Sequence, residues 1–135
     1  MARLTQMKQA VIVGLGGMIG SIARYKVGGA ILHQTASLRF PLSTFAVNIA
    51  GCFLIGALAA LVEHRDFFST DTRLFLFTGL LGGFTTFSAF GYETFFLARR
   101  GEMAVAASYA ALSVLVGVAA VWLAFRLFSI SGGHH

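Results

Sequence analysis

Four stretches of this chain are long and apolar enough to leave their backbone a single option. They run over about residues 9–32, 41–62, 73–98 and 103–128. A helix needs about 20 mostly apolar residues to cross the hydrocarbon core of a bilayer, where every backbone N–H and C=O must find its partner inside the protein. The expected fold is therefore all-α: one integral membrane domain over residues 1–135 with four transmembrane helices. The charge content agrees. Charged residues make up 11% of the chain, against about 25% in soluble domains, too few to cover a water-facing surface.

Short connections at 33–40, 63–72 and 99–102 make the four helices run up and down. Pro41, the only proline, opens the second run, where a missing N–H costs nothing. Ser69 or Thr70 is placed to cap the third. The loop between runs two and three carries Glu63, His64, Arg65, Asp66 and Asp71. The tail Gly132, Gly133, His134 and His135 reads as the remnant of a purification tag and is set aside.

The net charge is +5, but the cations do not form a nucleic-acid patch. They fall mostly at the ends of the apolar runs, where Lys and Arg reach lipid headgroups. With four alternating helices, Arg3, Lys8, Arg65, Arg73 and Arg126 lie on the side of the N-terminus. Arg24, Lys26, Arg39, Arg99 and Arg100 lie on the other. Five against five gives the positive-inside rule nothing to act on, which leaves two options: insertion in both orientations, or a fixed orientation set by one dominant cluster.

Several functional classes are poorly supported. Residues 11–20 (VIVGLGGMIG) approximate a dinucleotide-binding turn, but Ile19 stands where the pattern needs its third glycine, and no acidic residue precedes Glu63. The acids and the histidines His33 and His64 lie largely at helix ends, and no nucleophile–base set can be placed inside the membrane, so no enzyme is expected. Cys52 is the only cysteine and reads as a small buried hydrophobe.

The informative segment is GLLGGFTTFSAFGYE at residues 79–93. It places Gly82, Gly83, Thr85, Thr86 and Ser88 in mid-span. Each glycine weakens a helix by about 1 kcal/mol relative to Ala, and hydroxyls can satisfy freed backbone groups. A break or an unwound turn is expected between Gly82 and Thr86, and irregular backbone at that depth lines a cavity, an ion site or an interface. Phe87 and Phe90 share one helical face. An aromatic ring is positive at its edge, so two edges turned into a narrow pore can hold a small anion weakly enough for it to leave. In run two, Thr44 and Asn48 share a face, and the Asn amide offers two N–H donors. In run four, Tyr109 and Ser113 do the same with hydroxyls. Together these make a track of donors, suited to an anion, along which no acidic residue is expected. Small residues on runs one and four, and the pairs Gly16/Gly20 and Gly79/Gly83, suit close helix packing.

The string GGFTTFSAFGYE at residues 82–93 resembles the signature of the Fluc/CrcB fluoride channels. TFAVNIAGCFLIG at 44–56 and GGMIGSIARY at 16–25 are similar to that family as well, in the same order along the chain. The resemblance implies an antiparallel, dual-topology homodimer in a bacterial inner membrane, with two parallel pores. Fluoride would pass Asn48, Phe87 and Phe90, with Thr44, Tyr109 and Ser113 lining the path and Arg24, late in run one, in the vestibule. A central sodium ion would be held by the backbone carbonyls of Gly82 and Thr85. Ala89 and Gly117 depart from the family pattern, which has hydroxyl residues there. The resemblance also implies passive export: hydrogen fluoride enters a cell as a neutral acid, ionises, and leaves as the anion, which confers fluoride resistance. The rival readings are a proton-coupled exporter of the small multidrug resistance type, which needs an in-span carboxylate usually found in the first helix, and a membrane assembly subunit that transports nothing.

Overall fold

A computed structural model describes residues 1–64 and 68–130. Arg65, Asp66 and the tail at 132–135 lie outside the described residues. Among the described residues the chain is all helical. Helix α1 spans Ala2–Thr35 and α2 Leu42–His64. The third span, Thr70–Arg99, is composite. It opens with α3 (Thr70–Arg73), widens into a π-helical stretch at Leu74–Leu81, narrows to α4 (Gly82–Phe84), is extended at Thr85 and Thr86, and resumes as α5 (Phe87–Arg99). Helix α6 spans Met103–Ile130. All four spans are long and apolar enough to cross a bilayer.

The helix ends follow local chemistry. Helix α1 starts at Ala2 rather than near Gln9, because residues 2–8 are ordinary helix formers that simply continue the span beyond its apolar part. Lys8 there pairs with Asp71 at the start of the third span. Pro41 stands one residue before the first helical residue of α2, and its carbonyl accepts the first helical bond, from Phe45 N–H at 3.1 Å. Of the two candidate caps of the third span, Ser69 serves, accepting the Thr72 N–H at 3.2 Å. The turn from α5 to α6 closes with Gly101 at φ +80, where Glu102 N–H returns to the Leu97 carbonyl at 2.9 Å and Gly101 N–H to Ala98 at 3.0 Å, the reciprocal pattern that glycine permits after a helix.

The helices associate as two close pairs, α1 with the first half of the third span and α2 with α6, joined by α1–α2 and α5–α6 contacts. Both seams are built of small residues. An added Cβ at Gly16 would stand 2.6 Å from the Phe75 carbonyl oxygen, and one at Gly79 would stand 2.8 Å from that of Val13. One turn further on, Gly20 faces the backbone of Leu80 and Phe84, and Gly83 faces that of Gly17. In the other pair Gly56 lies against the backbone of Val121, Gly117 against the Cys52 sulfur, and Ala57, Ala60 and Ala124 are buried. Lipid tails are as apolar as leucine, so burying leucine gives no drive for helices to associate in a membrane. Backbones brought within van der Waals contact do. Large apolar side chains instead cover the outside, as with Leu15, Ile22, Leu115, Val118 and Trp122.

Gly20→Val should therefore force two backbones apart, a clash no rotamer relieves, whereas Gly14→Ala enters open space. Overpacking of this kind costs about 1–3 kcal/mol. In a thermal melt of the detergent-solubilised protein, Gly20→Val is expected to melt several degrees lower and Gly14→Ala to match the parent. Equal melting of the two would contradict the packing.

Candidate functional site

The site begins with the interruption of the third span. Thr85 (φ −86, ψ 157) and Thr86 (φ −148, ψ 112) are extended, within the interval anticipated from the glycines and threonines. An interruption at this depth strands backbone groups that water cannot serve. Asn48 of α2 serves the most central pair. Its Oδ1 accepts the Thr86 N–H at 2.8 Å, and its Nδ2 donates to the Thr86 carbonyl at 3.1 Å. One turn along α2, Gly51 leaves room for the Thr85 methyl, which a Cβ at that position would strike.

The neighbouring groups are settled locally. Thr86 Oγ1 caps α5 by accepting the Ala89 N–H at 3.2 Å. The Thr85 N–H and hydroxyl both donate to the Leu81 carbonyl at 2.9 Å. The Gly83 carbonyl accepts from Arg24 Nε at 3.1 Å and from the Ser21 hydroxyl at 3.5 Å. Among the carbonyls that lose the N–H an unbroken helix would give them are those of Gly82 and Thr85. That of Gly82 loses Thr86, which is turned to Asn48, and that of Thr85 loses Ala89, which is turned to the Thr86 hydroxyl.

These elements enclose a groove of about 420 Å³ whose lining includes Asn48, Gly82, Thr85, Phe87, Phe90 and Ser113. Six of the residues singled out in the sequence thus share one surface. Phe87 is 82% exposed, and its ring centre lies 5.5 Å from that of Phe90. Phe90 is half-buried and packs in turn on Tyr109 at 5.2 Å.

Thr44 and Tyr109 do not line this groove. Tyr109 is fully buried and packs edge-on to Phe40 at 5.2 Å. Its hydroxyl donates to Glu93 Oε2 at 2.7 Å, and the Thr44 hydroxyl donates to Glu93 Oε1 at 2.7 Å. The expectation of a track free of acidic residues is corrected here: a carboxylate sits among its hydroxyls. Counted along an unbroken span, Glu93 lies close to the end. Once the helix restarts at Phe87, it lies in the middle of a 13-residue helix. The signal was the spacing of 87, 90 and 93, which keeps the carboxylate near the face of the two rings.

Arg24 lies on α1 well before its C-terminal end. Helix α1 continues to Thr35, eleven residues or about 16 Å beyond Arg24. The guanidinium is level with the interruption, beside a second cavity of about 380 Å³ that Ser21, Thr44 and Thr86 also line. No group of three or more His, Cys, Asp and Glu side chains is placed to hold a metal among the described residues.

Comparison with known proteins gives a consistent match. Residues 11–125 match the family described as CrcB-like protein, Camphor Resistance (CrcB). A fluoride-specific ion channel FluC of Methylobacillus flagellatus is 50% identical over 125 residues, covering 93% of this chain and 98% of the relative. Proteins of the same name from Acidobacterium capsulatum and Paracoccus denitrificans are 47% and 51% identical, over 82% and 81% of this chain and 88% and 85% of theirs.

Asn48→Leu removes the acceptor of the Thr86 N–H, while the Thr86 carbonyl, as N-cap of α5, keeps its helical bond. A buried backbone group left unpaired costs about 1–3 kcal/mol, so equilibrium unfolding in mixed micelles should fall by about that amount. A loss below about 1 kcal/mol would mean that other groups replace the amide without cost.

Proposed function

This chain belongs to the CrcB family, and on that premise we propose that it is a passive fluoride channel that carries the anion out of the cytoplasm along the Asn48–Phe87–Phe90 groove. One observation supports this reading above the others: beside an interrupted span, an amide, two phenylalanine rings and a helix N-terminus border a single cleft.

Fluoride is small and strongly hydrated, so a pathway for it must replace water with donors. Asn48 has two N–H bonds and spends one on the Thr86 carbonyl, which leaves the other for an anion. The first amides of α5 add the positive end of a helix dipole beside the same cleft. The edges of Phe87 and Phe90 add weak positive potential, and the Ser113 hydroxyl extends the donors along α6. Among the described residues no lysine or arginine lines the groove. That absence favours transit, because a full cationic contact would hold the ion too tightly to conduct. Both Glu93 oxygens accept hydroxyls, from Thr44 and Tyr109, an arrangement that directs those hydroxyls at the carboxylate.

The groove is open along one flank of the chain. A second copy in antiparallel orientation would wall it, and the near-even distribution of cations between the two ends is what insertion in both orientations requires. A shared sodium ion fits the residues present. The Gly82 and Thr85 carbonyls, freed as described, are hard oxygen donors at an unwound turn, and two copies would supply four. When bound, sodium would join the two copies through their backbones. The location is the inner membrane of a bacterial cell. An in-span carboxylate is also what a proton-coupled exporter requires, and Glu93 is one, so proton coupling belongs in the test.

Purified protein in vesicles loaded with fluoride is expected to release it to an external fluoride electrode without a proton gradient, and to release no chloride. Phe87→Ile and Asn48→Asp should each lower the rate at least tenfold. Unchanged efflux in both variants would remove the groove as the pathway, and strict dependence on a proton gradient would favour the exporter. Replacing sodium with a large organic cation on both sides should slow release if the carbonyl site holds sodium.

A further inference from the structure

Arg24 is a cation at the depth of a membrane-span interruption. Among the described residues no carboxylate lies within ion-pair distance of it; the one ion pair joins Lys8 to Asp71. An unpaired cation inside the hydrocarbon region is costly and needs a reason. Its partner is the backbone: Nε–H donates to the Gly83 carbonyl. That carbonyl belongs to the last turn before the interruption, where a half-helix presents the negative end of its dipole. Ser21, one turn earlier on α1, donates to the same oxygen at the longer distance of 3.5 Å. Gly20 and Gly83 keep the two backbones close enough for both contacts.

Consecutive carbonyls on a helix point about 100° apart around the axis. Tying Gly83 to α1 therefore sets the direction of its neighbour Gly82, which lines the opposite groove. Two side chains from two helices clasp the interruption: Arg24 holds the end of the first half at Gly83, and Asn48 holds the start of the second at Thr86. Thr86 lines both the groove and the cavity beside Arg24, so a shift on one side is felt on the other.

We propose that Arg24 is a positioning residue whose Nε–H, more than its charge, fixes the interruption: it caps the Gly83 carbonyl and so orients the free carbonyls of Gly82 and Thr85 and the Thr86–Asn48 clasp. This deepens the channel reading and rests on it for the transport readout alone. Lysine does not serve equally in this role, because its charge is a point on a flexible stem and its chain carries a methylene at the ε position. Glutamine does carry an N–H there: its Nε2 is bonded to Cδ, as the Arg Nε is.

Three variants separate position from charge. Arg24→Gln keeps an N–H at the ε position and loses the charge. Arg24→Lys keeps the charge and loses that N–H. Arg24→Met keeps only length. Fluoride efflux from vesicles is expected to stay within about threefold of the parent in Arg24→Gln, and to fall at least tenfold in Arg24→Lys and further in Arg24→Met. Hydrogen–deuterium exchange over residues 81–90 should follow the same order, with Thr85 and Thr86 amides exchanging faster in the Lys and Met variants and near the parent rate in the Gln variant. If Arg24→Lys matches the parent while Arg24→Gln loses efflux, and the loss shrinks at high salt, Arg24 acts by attracting anions and the proposal is overturned. If exchange over 81–90 is the same in all three variants, the proposal is overturned even where efflux changes. Absence of fluoride efflux from the parent itself would overturn the channel reading, and the exchange order would then decide the proposal.

Discussion

The structure depends on one amide meeting one residue's backbone. Thr86 sits where the third span is extended, and its N–H has left the Gly82 carbonyl that an unbroken helix would offer it. Asn48 accepts that N–H at 2.8 Å and donates to the Thr86 carbonyl at 3.1 Å. Without that exchange the span would have to close into a continuous helix. The groove, the restart of α5 at Phe87 and the free carbonyls of Gly82 and Thr85 would all disappear with it. The interruption is thus a tertiary feature, stabilised from a neighbouring helix, in a segment that local composition has only weakened.

Around that contact the packing follows from the solvent. A bilayer gives little reward for burying large apolar side chains, so the closest helix seams are built of glycine and alanine, and large side chains such as Leu15, Leu115 and Val118 turn outward. The close seam of α1 against the third span does more than hold two helices together. It carries Ser21 and Arg24 to the Gly83 carbonyl, while the seam of α2 against α6 carries Asn48 and Ser113 to one cleft. Packing and site are the same set of glycines seen from two sides. The π-helical widening at Leu74–Leu81 precedes the interruption directly, and such widenings are often found beside functional positions.

Much of this was legible in the residues. Four apolar runs, the composite third span and its weak point near residues 82–86 are local consequences of composition, and local consequences can be counted along a chain. Six of the candidate residues could be grouped because helical spacing alone puts 87 beside 90, while the family resemblance joined the helices. The assignment of partners was less legible. Glu93 was counted as late in its helix, six residues before Arg99, and spacing along one helix does not show that its carboxylate meets hydroxyls of α2 and α6; Tyr109 was counted as open lining although it is buried behind Phe90 with its hydroxyl on that carboxylate. Arg24 was counted late in its run, although the backbone stays helical for another three turns.

Membership in the membrane, the number of spans, the place where the third one yields and the chemistry available there belong to the sequence itself, since each rests on what neighbours in the chain do to one another. Which carbonyl is capped and which is left free, and which hydroxyls face a carboxylate, were decided only when helices docked. The reason is geometric. A side chain's partner depends on how each helix is rotated and slid against the next, and at about 100° per residue one step of register exchanges the groove for the lipid.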